Sequence, residues 1–348
     1  MGTASFPGRD WTVAAPDADV DAVALATAVA DLVRRPDRLG VTEALCVVHR
    51  GRIVAEWWPP GSSVRSTHIS WSMAKSITHA LVGIATGDGL LSADRSDLLP
   101  EWRSDARSTI TLGHLLTMTS GLEWVEDYVD DSVSHVIEML AGGDDGLADH
   151  AAYAARKRLV AEPGTTWSYS SGTTNIIARI LADALGEERG SHERVESFMR
   201  TRLFDPIGMT ASPKFDAAGT FVGSSFVYAT ARDFARFGWL YLNEGTWNGD
   251  AVLPPGWTGS AFHRVATDPE NGFGYGSHWW LPDDDDRSIL ALGYDGQFTW
   301  VSPDRELVVV HLGRTPAEHR EALVAALRNV IGAFPVVRAP IGHDGGHD

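Results

Sequence analysis

Apolar residues fall at two different spacings along the 348-residue chain, and the switches between them lay out its elements. Val20, Val23, Leu25, Val29, Leu32 and Val33 recur close to the helical period, with Arg34 and Arg35 suited to the C-terminal end of the dipole. Ala44 to His49 and Arg52 to Trp58 are β-rich runs, and Arg50-Gly51 between them reads as a tight hairpin turn. The run from Met73 to Leu91 reads as a buried helix. Met73, Ile77, Ala80, Leu81 and Ile84 fall at i, i+4, i+7, i+8 and i+11, one apolar stripe, and Gly87 and Gly89 mark its end.

From about Ser92 to Gly219 the pattern is mostly helical. Thr111 caps a short helix, Asn175 to Leu181 lies in another, and Pro206-Ile207-Gly208 closes a third. Thr230-Ala231-Arg232-Asp233 reads as a capping-box variant opening a helix with Phe234, Phe237, Leu240 and Tyr241 on its apolar face. Strand runs return at Ser288 to Leu292, Gln297 to Val301 and Leu307 to Leu312. Thr315-Pro316-Ala317-Glu318 then reads as a capping box with proline at the first helical position, opening a helix to about Ile331. Residues 342–348 read as a disordered tail.

Strands therefore sit at both ends of the sequence and helices in the middle. The economical architecture is of the α/β (α+β) class: an antiparallel sheet flanked by helices, with a mostly helical domain inserted. Residues 1–91 and 220–348 would form the α/β domain, residues 92–219 the helical one, with an active-site cleft between them.

Charge narrows the function. With 29 basic and 46 acidic residues the formal charge is −17, which opposes binding to nucleic-acid phosphates or to an anionic membrane surface. No stretch reaches the roughly 18 apolar residues of a membrane span, and Met1 to Trp11 lacks the basic and apolar regions of a signal peptide. A cytoplasmic location is expected unless the sequence is trimmed. The single cysteine, Cys46, sits in an apolar strand and reads as a small buried hydrophobe. The run Asp283 to Asp286 fits no calcium-loop spacing, and no cofactor is expected.

The candidate chemistry begins at Ser72-Met73-Ala74-Lys75. Three residues along a helix turn it about 300° and rise about 4.5 Å, so the Lys75 amine can reach the Ser72 hydroxyl. The chain has only three lysines, Lys75, Lys157 and Lys214, and the residue three before each of the others is alanine. Taken alone the motif leaves an ordinary lysine on a core helix as an equal alternative. Gly-x-Ser-x-Gly is absent, so a strand-turn-helix nucleophile elbow is not indicated. Two later segments supply partners: Tyr169-Ser170-Ser171, and Tyr294-Asp295-Gly296-Gln297 at the entry to a β-run.

With these segments in this order, residues 40 to 335 resemble the class C β-lactamase-like serine hydrolases, which include esterases, DD-peptidases and 6-aminohexanoate-dimer hydrolase. The resemblance also rests on Leu115 to Gly121, Glu162 to Thr165, Leu203 to Met209 and Thr230 to Gly238. It implies a β-lactamase/transpeptidase-like fold and a cofactor-free enzyme acting on a small-molecule ester or amide. Ser72 would be the nucleophile, Lys75 and Tyr169 the general base and acid, and the backbone N–H groups of Ser72 and Gln297 the oxyanion hole. Glu126-Asp127-Tyr128-Val129-Asp130 and the serine at Ser171 look most like the dimer-hydrolase branch. In that branch the tyrosine matching Tyr128 touches the substrate amide; the alternative is an ordinary loop tyrosine. Ser171 would support the hydrogen-bond network, and Gly296 would allow close backbone approach.

The departures bear on substrate. Tyr294 replaces the lysine of the Lys-Thr-Gly strand and Asp295 its threonine, which favours neutral or cationic esters and amides over β-lactams. Lys75 and Tyr169 both have ordinary pKa values near 10; burial would lower the lysine, and its ammonium would lower the phenol. Trp124, Trp279 and Trp280 are candidates for an aromatic wall, while His79, His114 and His311 read as structural. Two other readings stay open: a β-lactamase or DD-peptidase on the same scaffold, and a non-catalytic binding or sensor protein. The oligomeric state is not legible.

Overall fold

The strand runs at the two ends of the chain are apolar at nearly every position because both faces of their sheet are covered. The computed structural model describes residues 6–8, 10–128, 134–141, 148–284 and 286–337. Its main sheet has eight antiparallel strands: β1 (Val41–His49), β2 (Arg52–Trp57), β3 (Ala266–Thr267), β4 (Gly274–Tyr275), β5 (Trp280–Leu281), β6 (Ile289–Gly293), β7 (Gln297–Ser302) and β8 (Leu307–Arg314). Their spatial order is β2-β1-β8-β7-β6-β5-β4-β3, so β1 pairs with the last strand and the two ends of the chain meet in mid-sheet. Arg50 and Gly51 join β1 to β2 with positive φ at both, as a tight hairpin turn requires.

Side chains alternate between two cores. Ala44, Cys46 and Val48 of β1, with Val308, Val310 and Leu312 of β8, enter the larger one. Leu45, Val47, Leu307 and Val309 enter the other, under helices α1 (Ala22–Arg34) and α5 (Arg320–Gly332). Helix α4 (Ala231–Leu242) lies across the opposite face, opened by the expected capping box of Thr230 and Asp233. The Thr315 box does not form. Its hydroxyl donates to the Leu39 carbonyl instead, a short 3₁₀ turn follows at Ala317–His319, and α5 begins at Arg320.

Helix α2 (Ala74–Gly87) is more enclosed than its stripe suggested, with every side chain from Ala74 to Ala85 buried. Its polar groups are paired: Thr78 donates to the Gly223 carbonyl, Ser76 to that of His278, and His79 bonds to Tyr241 and Ser260. Helix α3 (Ser171–Ala184) packs against α2 and the short helices around it, capped by the Ser170 hydroxyl on the Thr173 N–H. Cys46 is fully buried in β1. Among the described residues no helix is long and apolar enough to cross a membrane. Val129, Asp130, Asp285 and the tail 342–348 lie outside the described residues.

Candidate active site

Ser72 stands on a single 3₁₀ turn, Trp71–Met73, that runs directly into α2. The residue before it, Trp71, has φ 43°, a left-handed conformation that costs a bulky side chain on the order of 1 kcal/mol. Neighbouring contacts hold it there. The Ser70 N–H donates to the Val227 carbonyl at 2.8 Å, and its hydroxyl reaches the Ser225 carbonyl at 3.0 Å. From the other side β6 presses in at Gly293, where a Cβ would lie 2.4 Å from the Ser70 carbonyl oxygen. No larger residue fits there.

Lys75 follows one turn later and is 1% exposed. Its Nζ donates to Ser72 Oγ at 3.0 Å, Ser171 Oγ at 2.9 Å and the Ser224 carbonyl at 3.0 Å. These satisfy the three donors of an ammonium group. Burial nonetheless lowers its pKa to about 8, with Glu126 pulling the other way. The Tyr169 ring presents its face to the amine, 4.8 Å from Nζ to centroid. The Tyr169 phenol is nonetheless raised, not lowered as the sequence suggested. Burial pushes that phenol well above its ordinary range and Glu126 adds to the shift, while a hydrogen bond with Ser72 opposes them.

A cleft of about 370 Å³ opens onto Ser72 and Tyr169. Tyr128 and Tyr294 both line it and stack on each other, with ring centroids 5.0 Å apart. Tyr128 turns its hydroxyl inward to Glu126 at 3.2 Å, and burial and Glu126 keep that phenol protonated. The aromatic wall is Trp124, Trp167 and Trp280. Trp279 is excluded from it, being fully buried between Phe237 and Tyr241 on the core side of the adjoining strand.

The structure also separates the residues expected to surround the substrate. Ser171 is fully buried and meets Lys75 and Glu126, so it supports the network from behind. Asp295 does not line the cleft: at φ 65° it turns away, its carboxyl in the field of Arg314 and Glu43. Gly296 likewise backs onto Thr315, and its carbonyl accepts from His311 at 2.7 Å. Gln297 pairs with Gly293 across the β6–β7 hairpin beside the Ser72 turn, while its side-chain amide clamps the Gly313 backbone. His114 completes the capping box of Thr111, and His311 bonds to Thr42.

Several cleft residues gave no distinct sequence signal. Glu126 is one of five carboxylates in the stretch Glu123 to Asp131, and nothing in spacing marks it out. Asp268, Glu270 and Arg320 come from a loop and a helix start. Gly293 could have been read as a strand-end glycine under close backbone approach.

Known proteins share the sequence pattern and the fold. The sequence pattern of the Beta-lactamase family matches residues 25–333. The chain is 27% identical over 336 residues to the 6-aminohexanoate-dimer hydrolase of Paenarthrobacter ureafaciens, covering 91% of this chain and 83% of that protein. A Bacillus anthracis structure proposed to be a 6-aminohexanoate-dimer hydrolase superposes with TM-score 0.73 at 23% identity, covering 92% of this chain and 86% of that one. The octameric penicillin-binding protein homologue of Pyrococcus abyssi gives 0.66 at 16% identity, with 91% and 80% covered.

Proposed function

This chain belongs to the Beta-lactamase family of serine hydrolases, and from that premise we propose that it cleaves a linear amide or ester through an acyl-enzyme on Ser72. The observation that carries the reading is the buried Lys75 amine, 3.0 Å from Ser72 Oγ with its pKa lowered to about 8. At pH 7 about a tenth of such an amine is neutral and able to accept a proton.

Lys75 takes the Ser72 proton as Oγ attacks the carbonyl carbon. The backbone N–H groups of Ser72 and Gln297 receive the developing oxyanion. Tyr169, held protonated, donates to the leaving nitrogen or oxygen, and the proton on Lys75 restores the phenol. The acyl-enzyme is then hydrolysed by water activated along the same path in reverse.

The cleft also bears on substrate. Glu126, Asp268 and Glu270 line it together with Arg320, for which no ion pair is found among the described residues. With Asp295 turned away, the case against wholly anionic substrates rests on Tyr294 and on these carboxylates. A cleft carrying both signs suits an extended substrate carrying both, such as a linear dimer of an ω-amino acid. The named activity of the Paenarthrobacter relative supports the same class. Steady-state turnover of a linear 6-aminohexanoate dimer, a short-chain nitrophenyl ester and nitrocefin tests it. The reading expects the first two to be hydrolysed and Ser72→Ala to abolish both. Efficient nitrocefin turnover beside negligible ester and amide hydrolysis would make it a β-lactamase instead.

A further inference from the structure

Glu126 takes no part in the steps above, yet four donors converge on its carboxylate. Oε1 accepts the Ser171 hydroxyl at 2.5 Å and the Tyr128 hydroxyl at 3.2 Å; Oε2 accepts the Ser171 N–H at 2.9 Å and Trp124 Nε1 at 2.5 Å. The arrangement is built from both partners. Gly172 has no side chain, and a Cβ there would lie 2.4 Å from the Trp124 ring, so the ring lies flush on the start of α3. Trp124 then holds Glu126 at the N-terminus of this 14-residue helix, where the dipole favours an anion.

The hydrogen bonds form one directed path. Lys75 donates to Ser171 Oγ at 2.9 Å, and that hydroxyl spends its single proton on Glu126. The nucleophile, its base, a serine and a carboxylate are thus in series, and a proton moving from Ser72 to Lys75 places a positive charge one hydroxyl away from Glu126. We propose that Glu126 is a positioning residue for this proton transfer: through Ser171 it orients Lys75 and stabilises the ammonium formed when Lys75 takes the Ser72 proton. The inference rests on Ser72 being the nucleophile. The logic is that of a carboxylate behind a catalytic histidine, with a hydroxyl inserted between base and carboxylate.

Asp268, Glu270 and Arg320 line the cleft outside this path, and the other titratable groups packed about it are uncharged near neutrality. Burial and Glu126 hold Tyr128 and Tyr169 protonated, and burial does the same for Tyr275. His278 faces Lys75 from the far side and is kept neutral with its pKa down at about 3 by burial. The charge that meets Lys75 across this path is therefore the Glu126 carboxylate, which raises the lysine pKa against the pull of burial. Removing it weakens Lys75 as a base.

The chain's three lysines make this directly readable. Lysine labelled with ¹³C at Cε gives three signals in the intact protein, with Lys157 and Lys214 as internal references. In the unaltered protein the Lys75 signal is expected to titrate near pH 8. In Glu126→Gln and in Ser171→Ala its midpoint should drop by about one unit while the reference signals stay put. On the alkaline plateau kcat should fall about 10- to 100-fold with little change in KM. Glu126→Asp should recover part of both effects, and the double variant should be no worse than either single one, because both lie on one path.

If Glu126→Gln fails to fold by circular dichroism, Ser171→Ala and Glu126→Asp carry the same readout. A folded variant of either residue with the Lys75 midpoint unmoved overturns the proposal. A shifted midpoint in a protein that turns over no ester or amide supports the relay and overturns the hydrolase reading instead.

Discussion

The inner wall of the cleft and its rim are built on opposite terms. Lys75 and Ser171 are 1% and 0% exposed, and every polar atom of the Lys75 amine has a fixed partner. Tyr128 and Tyr294 at the rim are 36% and 38% exposed; their rings rest on each other, and that of Tyr294 also meets Trp71. A buried network in low dielectric is costly to disturb, because any partner removed leaves another unpaired. An exposed aromatic pair contributes only about 0.5–1.5 kcal/mol beyond the area it covers. The contrast teaches that, on the proposed reading, the chemistry and the choice of substrate are separable: the wall is fixed by packing, the rim is carried on loops.

The largest break in that contrast comes from Lys75→Ala. It should lower kcat by about 10⁴-fold in a protein that keeps its circular dichroism, since no other buried lysine among the described residues can replace the proposed base. Next is pH. In the proposed mechanism Lys75 acts when deprotonated, so kcat/KM should rise tenfold per unit up to a plateau above about pH 8, leaving roughly a hundredfold deficit at pH 6. A profile whose acidic limb lies near pH 4 to 5 would assign the base to a carboxylate. Gly293→Ala comes third. Its Cβ would meet the Ser70 carbonyl, so the nucleophile turn must shift, with kcat down about 10- to 100-fold and stability down about 1–3 kcal/mol in urea melts. Tyr294→Ala is the smallest: a KM increase of about 3- to 10-fold with kcat nearly unchanged. A loss of kcat as large as that of Gly293→Ala would show that rim and wall are one unit.

The same division decided what could be read from the sequence. Ser72 and Lys75 were legible because a helix turns spacing into adjacency, and β1, β7 and β8 because runs of apolar residues this long need a covered sheet. Tyr169 was legible through the resemblance of Tyr169-Ser170-Ser171 to the tyrosine element that accompanies Ser-x-x-Lys. Asp295 was not, since its turn away from the cleft depends on a left-handed φ that residue identity does not announce. Trp279 and Trp280 are neighbours in sequence, and strand alternation alone sends one to the core and the other to the cleft. Glu126 was hidden among the carboxylates of its loop; only the flat packing of Trp124 on Gly172 singles it out. Thr315 had the right pattern for a capping box, but the nearby Leu39 carbonyl took its hydroxyl.

The central claim is that Ser72 is a nucleophile activated by the buried Lys75. The rate of fluorophosphonate labelling, followed by peptide mass spectrometry across pH 5 to 10, tests it without any choice of substrate. The account predicts a single adduct on Ser72, a labelling rate that rises with one midpoint near pH 8, and almost no adduct in Lys75→Ala. Absence of an adduct on Ser72 in the folded protein, or a rate indifferent to pH and to Lys75, would contradict it.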